Sequence, residues 1–173
     1  MRKKKLLFLD FFLILFLVAL DQTIKYFASA ILEQQGSIVL FEGVLQLTFL
    51  KNNGGILGFL QNQTPFILFM AGILLLVILY LLIKLPDKPR FAVLHPVLSC
   101  LLAGAIGNLT DRLRFGYVID YIYFLGIDFP IFNFADILIS LSTIVLLFLL
   151  LFYYKEKDLE FLTFMQKRYR ELK

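Results

Sequence analysis

The chain has 173 residues, of which 60% are hydrophobic and 20 are Phe, and its formal net charge is +4. Soluble domains usually contain about 45–50% apolar residues, so this composition excludes an ordinary soluble domain and indicates an integral membrane protein. The positive charge is typical of membrane topology and of contacts with lipid headgroups, and nucleic acid is not expected as a partner.

Four windows of the sequence are long and apolar enough to cross a bilayer. A spanning helix needs about 20 mostly apolar residues, and the windows are 6–27, 65–85, 91–113 and 135–154. No internal repeat and no Ser-, Gly- or Pro-rich linker divides the chain. The sequence therefore predicts one integral membrane domain, residues 1–173, of the all-α class with four transmembrane helices.

The basic residues predict the orientation of these helices. Short segments rich in Lys and Arg stay in the cytoplasm, and most of the 17 basic residues lie in segments 2–5, 84–90 and 155–173. Both termini are therefore predicted inside (N-in/C-in). The segment 155–173 is predicted to be a basic amphipathic tail on the cytoplasmic membrane surface.

The first window also imitates a cleavable signal peptide, because a basic start and an apolar run are followed by "ASA" at 28–30. The charged residues Asp10, Asp21 and Lys25 argue against cleavage. Asp21 and Lys25 are four residues apart, so a simple ion pair on one helix face at the membrane interface is the plain interpretation.

The segment between the first two windows, residues 28–64, is predicted outside the membrane. Residues 44–51 alternate well enough to form a strand, and "NNGG" at 52–55 is a turn signal. We expect a small extracytoplasmic platform, part β-sheet and part amphipathic, resting on the outer leaflet between helices 1 and 2.

The third window carries a polar face. Gly104, Asn108 and Arg112 recur at intervals of four residues, and Asp111 lies three residues after Asn108. A glycine and a polar stripe on one helix face favour contact with other parts of the protein.

The fourth window begins with Asn133, an N-cap residue, followed three residues later by Asp136. This pattern predicts a capping box, which would be a purely structural use of the carboxylate. A catalytic use of Asp136 is the alternative.

The only cysteine, Cys100, and the only histidine, His95, lie in the third window. An apolar helix favours an inert core role for Cys100. Because no Cys, His or carboxylate stands at ligand spacing from His95, no metal site and no cofactor are expected.

With this topology, polar residues from several segments lie at one depth near the outer leaflet. Charged groups at membrane depth are costly unless they are paired or face a wet cavity, so such a cluster is a candidate site. Its members are Asp21, Lys25, Asn52, Asn108, Asp111, Arg112, Asp120 and Asp136.

Carboxylates are the only candidates in this cluster for acid–base chemistry. No Ser–His or Cys–His pair is available, whereas two Asp side chains can share a proton and activate a water. Asp120, in the loop before the fourth helix, and Asp136, in its first turn, form the best pair. Asp111, next to Arg112, suits a supporting role.

Four segments match the motifs of a known family. They are "DQTIKYF", "KNNGGILGF", "GAIGNLTDRLRFGYVIDYI" and "FNFAD", which resemble the family patterns D-Q-x-x-K, N-x-G-A-A-F, G-N-x-x-D-R-x-x-x-G-x-V-x-D and F-N-x-A-D. The chain resembles, over residues 6–151, the lipoprotein signal peptidases (signal peptidase II), the bacterial prolipoprotein aspartyl peptidases.

This resemblance implies that Asp120 and Asp136 are the catalytic residues of a membrane endopeptidase. It places the following residues at supporting and substrate-contacting positions: Asp21, Lys25, Asn52, Gly54, Gly104, Asn108, Asp111, Arg112 and Asn133. The implied substrates are diacylglyceryl-modified prolipoproteins, cleaved just before the lipid-modified Cys, and the implied inhibitors are globomycin-like cyclic peptides. The implied location is the bacterial cytoplasmic (inner) membrane, with the active site at its extracytoplasmic leaflet.

The sequence departs from the family pattern at Gly55, Ile56 and Leu57, where Ala-Ala-Phe is usual. The larger Ile56 is expected to reshape the wall that faces lipid or signal peptide.

Two other functions are compatible with the same residues. The first is a non-catalytic membrane relative that binds lipoproteins in the same groove. The second is a small transporter or assembly subunit, which the lack of a polar relay across the bilayer disfavours.

Overall fold

The computed structural model describes residues 2–53 and 63–162, except for the side chain of Thr64. The helices are α1 (Arg2–Gln35), α2 (Thr64–Lys84), α3 (Leu94–Phe115) and α4 (Phe134–Phe148), and the strands are β1 (Ile38–Phe41), β2 (Leu45–Asn52) and β3 (Val118–Phe124). Single 3-10 turns flank α3 and β3, and a π-helical turn, Leu149–Tyr153, continues α4.

The four predicted spanning helices are confirmed as helices long and apolar enough to cross a membrane: Arg2–Gln35, Pro65–Lys84, Pro89–Phe115 and Phe134–Tyr153. Large apolar side chains are exposed along much of their surface, such as Phe16 on α1 and Leu76 on α2. An apolar surface of this extent is expected where helices face lipid rather than water. The orientation of the helices across the membrane stays a prediction.

Helix α1 is longer than predicted, since it continues to Gln35 rather than ending near residue 27. The added residues are mostly good helix formers, and the helix ends only before Gly36, whose φ of 77° is a left-handed conformation that favours glycine. At 1.5 Å per residue α1 is about 50 Å long, which exceeds a hydrocarbon core of about 30 Å.

The predicted sheet is present, but one of its three strands comes from elsewhere in the chain. The order is β1-β2-β3, antiparallel throughout. Only β1 and β2 lie between α1 and α2; β3 follows α3. The placement of Asp120 in a loop is therefore corrected, because Asp120 lies in β3 opposite Leu50 of β2.

Two hydrophobic clusters hold the elements together. A small one joins Leu32 of α1 to Ile119 and Tyr121 of β3 and fixes the sheet against the end of α1. A larger one lies at the opposite end of the bundle, contributed by residues of α2, α3 and the turns beside α3 and α4. We call the first end the sheet end of the bundle.

The predicted close approach of α3 through a glycine is confirmed at Gly104. A Cβ atom there would lie 2.5 Å from the Ala135 carbonyl oxygen and 2.9 Å from Ile139 Cγ1 of α4. Backbone contact of this kind tolerates no larger residue without movement of the helices.

The start of the predicted tail consists of short 3-10 turns at Glu156–Asp158 and Glu160–Leu162. Leu159 and Phe161 pack against the larger cluster. The remainder of the tail, residues 163–173, lies outside the described residues, so the amphipathic interpretation stays a prediction.

Candidate active site

At the sheet end, Lys25 of α1 is buried between two carboxylates. Its Nζ lies 3.0 Å from Asp21 Oδ2 and 2.9 Å from Asp111 Oδ2, and it donates a hydrogen bond of 2.9 Å to Asn108 Oδ1. Lys25 is 1% exposed and both carboxylates are fully buried. The predicted Asp21–Lys25 pair is thus confirmed, but it is a buried three-member ion cluster rather than a pair at the interface.

Backbone amides of β3 and α4 also donate to these carboxylates. The Ala135 N–H of α4 donates to Asp21 Oδ1 over 3.1 Å, and the Ile119 N–H of β3 donates to Asp111 Oδ2 over 3.2 Å. The cluster therefore joins α1, α3, β3 and α4 at one point. We call Asp21, Lys25 and Asp111 the charged brace.

Gln22 contacts the charged brace and is not among the site residues predicted from the sequence, although it stands in the "DQTIKYF" segment. Its Nε2 donates to Asp111 Oδ1 over 2.9 Å and to the Gly107 carbonyl oxygen over 3.3 Å. Gly107 was also missed. A Cβ atom at Gly107 would lie 2.4 Å from Asp21 Oδ2, so only glycine fits beside this carboxylate.

Asp120 of β3 is held by two asparagines. Asn133 Nδ2 donates to Asp120 Oδ1 over 2.6 Å, and Asn52 Nδ2 of β2 donates to Asp120 Oδ2 over 2.7 Å. Both oxygens of a carboxylate that is only 1% exposed are thereby hydrogen-bonded. This arrangement fixes the plane of the carboxylate.

Asp136 is fixed by the first turn of α4, where the predicted capping box is confirmed. The Asp136 N–H donates to Asn133 Oδ1 over 3.0 Å, and the Asn133 N–H donates to Asp136 Oδ2 over 3.1 Å. Asn108 Nδ2 of α3 donates to the other oxygen, Asp136 Oδ1, over 2.8 Å. Asp136 is only partly buried, so it is the more accessible of the two aspartates.

The brace and the two aspartates are connected through Asn108. Its Oδ1 accepts from Lys25 Nζ and, over 3.2 Å, from Asn133 Nδ2, while its Nδ2 donates to Asp136. A lysine ammonium can only donate, so the orientation of this amide is fixed by chemistry. No hydrogen bond joins the Asp120 and Asp136 carboxylates directly in the described part of the chain.

The surroundings raise the pKa of Asp120 to about 6, from a reference value of 3.8. Burial is the largest cause, because it penalises the charged carboxylate. The charge of Asp136 adds to the rise, and the hydrogen bonds from Asn52 and Asn133 oppose it. Burial likewise raises the pKa of Tyr121, whose hydroxyl oxygen accepts from the Phe134 N–H at the start of α4.

Most of the residues proposed from the sequence thus meet in one network. Arg112 lies at its border: its Nη1 donates to the Asn108 carbonyl oxygen over 3.4 Å, and its charge acts on Asp136 and Asp120. Gly104 contributes to the α3–α4 contact. Gly54 lies outside the described residues, as do Gly55, Ile56 and Leu57.

His95 has a buried carboxylate partner that the sequence pattern does not indicate. At the end of the bundle opposite the sheet, its Nδ1 lies 2.5 Å from Asp10 Oδ2, and Ser99 Oγ donates to Asp10 Oδ1 over 3.0 Å. All three residues are buried between α1 and α3. Across the described ranges, 2–53 and 63–162, no group of three or more His, Cys, Asp or Glu side chains could hold a metal ion.

Comparison with protein families gives a match over residues 13–152 to the model described as signal peptidase (SPase) II. The "Lipoprotein signal peptidase" of Caldanaerobacter subterraneus subsp. tengcongensis is 39% identical over 141 residues, which are 81% of this chain and 94% of the relative. That of Streptococcus pyogenes serotype M1 is 37% identical over 157 residues, which are 90% and 97% of the two chains.

Two solved structures of bacterial membrane enzymes are similar to this chain in fold. A bacterial membrane enzyme determined by the in meso method at 2.3 Å resolution superposes with a TM-score of 0.74 at 31% identity, covering 85% of this chain and 92% of that chain. A second structure of a bacterial membrane enzyme, obtained by the same method at 1.9 Å, gives a TM-score of 0.73 at 31% identity and covers 84% and 94%.

Proposed function

Because the chain belongs to the signal peptidase II family of aspartic peptidases, we propose that Asp120 and Asp136 are its catalytic pair. The family relationship supports cleavage of prolipoprotein signal peptides by this enzyme. The observation that carries the assignment is the contrast between the two carboxylates: one is buried with a raised pKa, and the other is accessible at the start of a helix.

The contrast supports a different role for each aspartate. Burial favours the protonated form of Asp120, which then serves as the acid. Asp136 lies in the first turn of α4, where the helix dipole and two N–H donors favour its anion, so it serves as the base toward a water molecule.

Hydrolysis then proceeds in two steps. In the first, the water oxygen attacks the scissile carbonyl carbon while Asp136 takes a water proton and Asp120 gives its proton to the carbonyl oxygen. In the second, the C–N bond breaks as the amine nitrogen takes the proton held by Asp136, and Asp120 recovers a proton from the hydroxyl of the tetrahedral intermediate. The pair ends with the single proton that it held at the start.

The proposed substrates are prolipoproteins with a diacylglyceryl group on the Cys that follows the scissile bond. A substrate anchored in the bilayer suits an enzyme with four apolar helices. The distribution of Lys and Arg favours N-in/C-in orientation, which puts the sheet end and the aspartates at the extracytoplasmic leaflet of the cytoplasmic membrane. Globomycin-like cyclic peptides are the inhibitors expected from family membership.

The deciding experiment incubates the purified protein with a diacylglyceryl-modified precursor and with the same precursor lacking the lipid. We expect cleavage of the modified precursor alone, just before its Cys. Asp120→Asn and Asp136→Asn should each lower kcat by at least about 1000-fold, because each removes one of the two proton-transfer groups.

Asp128→Asn is the matched control. Asp128 is exposed in a turn with φ of 48°, a conformation that Asn also adopts, and its carboxylate accepts only from Tyr123 among the described residues. Its activity should equal that of the wild type. Undiminished cleavage by either aspartate variant would overturn the assignment of the catalytic pair, whereas binding of the modified precursor by the wild type without cleavage would favour the non-catalytic lipoprotein-binding relative.

A further inference from the structure

A groove of about 690 Å³ lies between the end of α1 and strand β2. On one side it is lined by Glu33 of α1 and by Gly36 and Ser37, which follow this helix. On the other side it is lined by residues 48–51 of β2. None of these residues takes part in the hydrolysis described above.

Strand β2 has an unpaired edge in this groove. The ladder between β1 and β2 ends at the pair Ile38–Leu47, and β3 occupies the other side of β2. Among the described residues, no strand therefore lies beside residues 49–51 on the β1 side. Such an edge offers backbone N–H and C=O groups to an extended peptide, which binds by adding a strand to the sheet.

The end of the groove at Leu50 and Lys51 lies one strand away from Asp120. Leu50 is paired with Asp120 across the β2–β3 ladder, and Asn52, next to Lys51, donates to Asp120. Along α1, Glu33 comes eight residues after Lys25, or about 12 Å at 1.5 Å per residue. A peptide leaving the aspartates along the β2 edge would pass Lys51 first and Ser37 last.

The rim of the groove is polar. Lys51 Nζ pairs with Glu33 Oε1 at 3.2 Å, and the Ser37 and Thr48 hydroxyls are 2.8 Å apart. The lysine and glutamate side chains are about half exposed, at 52% and 49%, and an ion pair this exposed contributes little to stability because water screens it. A peptide can therefore displace the ion pair at little cost.

We propose that this groove binds the substrate segment that follows the cleaved bond, held in extended conformation against the unpaired edge of β2. The alternative occupant, the signal peptide, has an apolar core that would leave the polar rim without partners. Three extended residues span about 10 Å, the length of the unpaired edge at residues 49–51. The proposal rests on the proposed function, since it assigns a further part of the same substrate.

The first test compares two lipid-modified substrates that differ only in length after the Cys. One ends two residues after the Cys, and the other continues for ten. With the wild-type enzyme we expect the KM of the long substrate to be about tenfold lower, with similar kcat. Equal KM values would overturn the proposal.

A second test needs no protein variant. Single N-methyl groups, placed in turn on the amides after the Cys of the long substrate, each remove one backbone donor. Strand addition uses the donors of alternate residues, so KM should rise at every second position within the bound stretch. A uniform effect, or none, would contradict binding as a strand.

A variant that fills the groove completes the design. Ser37→Trp should raise the KM of the long substrate to that of the short one and leave the short one unchanged, which also shows that the variant is folded. Val39→Trp lies at an exposed position of β1 outside the groove lining. It should change the KM of neither substrate. Equal effects of Ser37→Trp on both substrates would overturn the assignment.

These outcomes are distinct from those that test the proposed function. Cleavage of the short substrate, lost in Asp120→Asn, supports the catalytic pair whatever the groove binds. Failure of the wild-type enzyme to cleave either substrate would overturn both proposals.

Discussion

Helices α1 and α3 bury two polar networks between them, one at each end. At the sheet end, Lys25 pairs with Asp21 and Asp111 and connects through Asn108 to the two aspartates. At the opposite end, Asp10 bonds His95 and Ser99.

The two networks differ in what they connect to. Within the described chain, the hydrogen bonds of Asp10 stay between α1 and α3, whereas the charged brace reaches β3 and α4 through the Ile119 and Ala135 amides. Burial of charge therefore identifies neither network as a site. What distinguishes the sheet end is a buried network that ends on a partly accessible carboxylate, Asp136.

The largest effect on stability is expected from Lys25→Met, which removes the cation of the brace. Asp21 and Asp111 would then be buried without a positive partner, and we expect the free energy of unfolding to fall by about 3–5 kcal/mol. Denaturant unfolding in detergent micelles measures this loss.

Lys51→Met is the control for that substitution. It removes an exposed lysine that pairs with Glu33, and it should change the free energy of unfolding far less than Lys25→Met does. Similar losses in the two variants would mean that the brace contributes no more than a surface ion pair.

Gly107→Ala is expected to be nearly as damaging, at about 3 kcal/mol. Its new methyl group would meet Asp21 Oδ2 at 2.4 Å, and that oxygen cannot yield freely because it pairs with Lys25. Activity should fall as well, since a displaced Asp21 moves the amide of Ala135 at the start of α4. Thermal unfolding and kcat together measure both effects.

Gly72→Ala on α2 provides the matched comparison. Nothing lies within 4 Å of a Cβ at this position, so Ala should stabilise the helix by up to about 1 kcal/mol and leave kcat unchanged. If Gly107→Ala behaved like Gly72→Ala, the close fit at Asp21 would be refuted.

A smaller effect, on stability alone, is expected from Asp10→Asn. The amide keeps the volume of the side chain but weakens the contacts with His95 and Ser99, at a cost of about 1–2 kcal/mol. The kcat of the folded variant should remain within about twofold of wild type, whereas Asp111→Asn should lower it. Equal losses of kcat in these two variants would contradict the inference that only the network at the sheet end supports catalysis.

The smallest effect concerns pH. Asp120, with its pKa raised to about 6, loses its proton as the pH rises through that value. Because the proposed acid must be protonated in the free enzyme, kcat/KM should decline above pH 6, by about fivefold between pH 6 and pH 7. The Asp128→Asn control should show the same decline, and an activity that rises over this range would reverse the assigned roles.

Local sequence patterns predicted the features that depend on near neighbours. The four spanning helices follow from apolar windows, and the capping box of α4 follows from the spacing of Asn133 and Asp136. The cluster of polar residues was predicted because the topology of four spans places their ends together.

Features that depend on distant residues were missed. Asp10 and His95 are 85 positions apart, and no local pattern indicates that they pair. Strand β3 comes directly after α3 and pairs with β2 across more than 60 residues, so no local pattern distinguishes it from the loop that the sequence predicts around Asp120. The position of Gln22 in the "DQTIKYF" motif indicates a role for it. The charges of Asp21 and Lys25 make them the more obvious site residues in that motif.

The capping box also links two equilibria: fraying of the first turn of α4 and binding of ligands at the two aspartates. Asn133 closes the first turn with its Oδ1 and its backbone N–H, while its Nδ2 holds Asp120. Opening that turn would therefore dismantle the site, and any compound that requires the assembled pair of aspartates must bind the closed turn preferentially. Such a compound slows amide exchange at Asp136 in proportion to its concentration over its Kd, so the start of one helix reports the occupancy of the whole site.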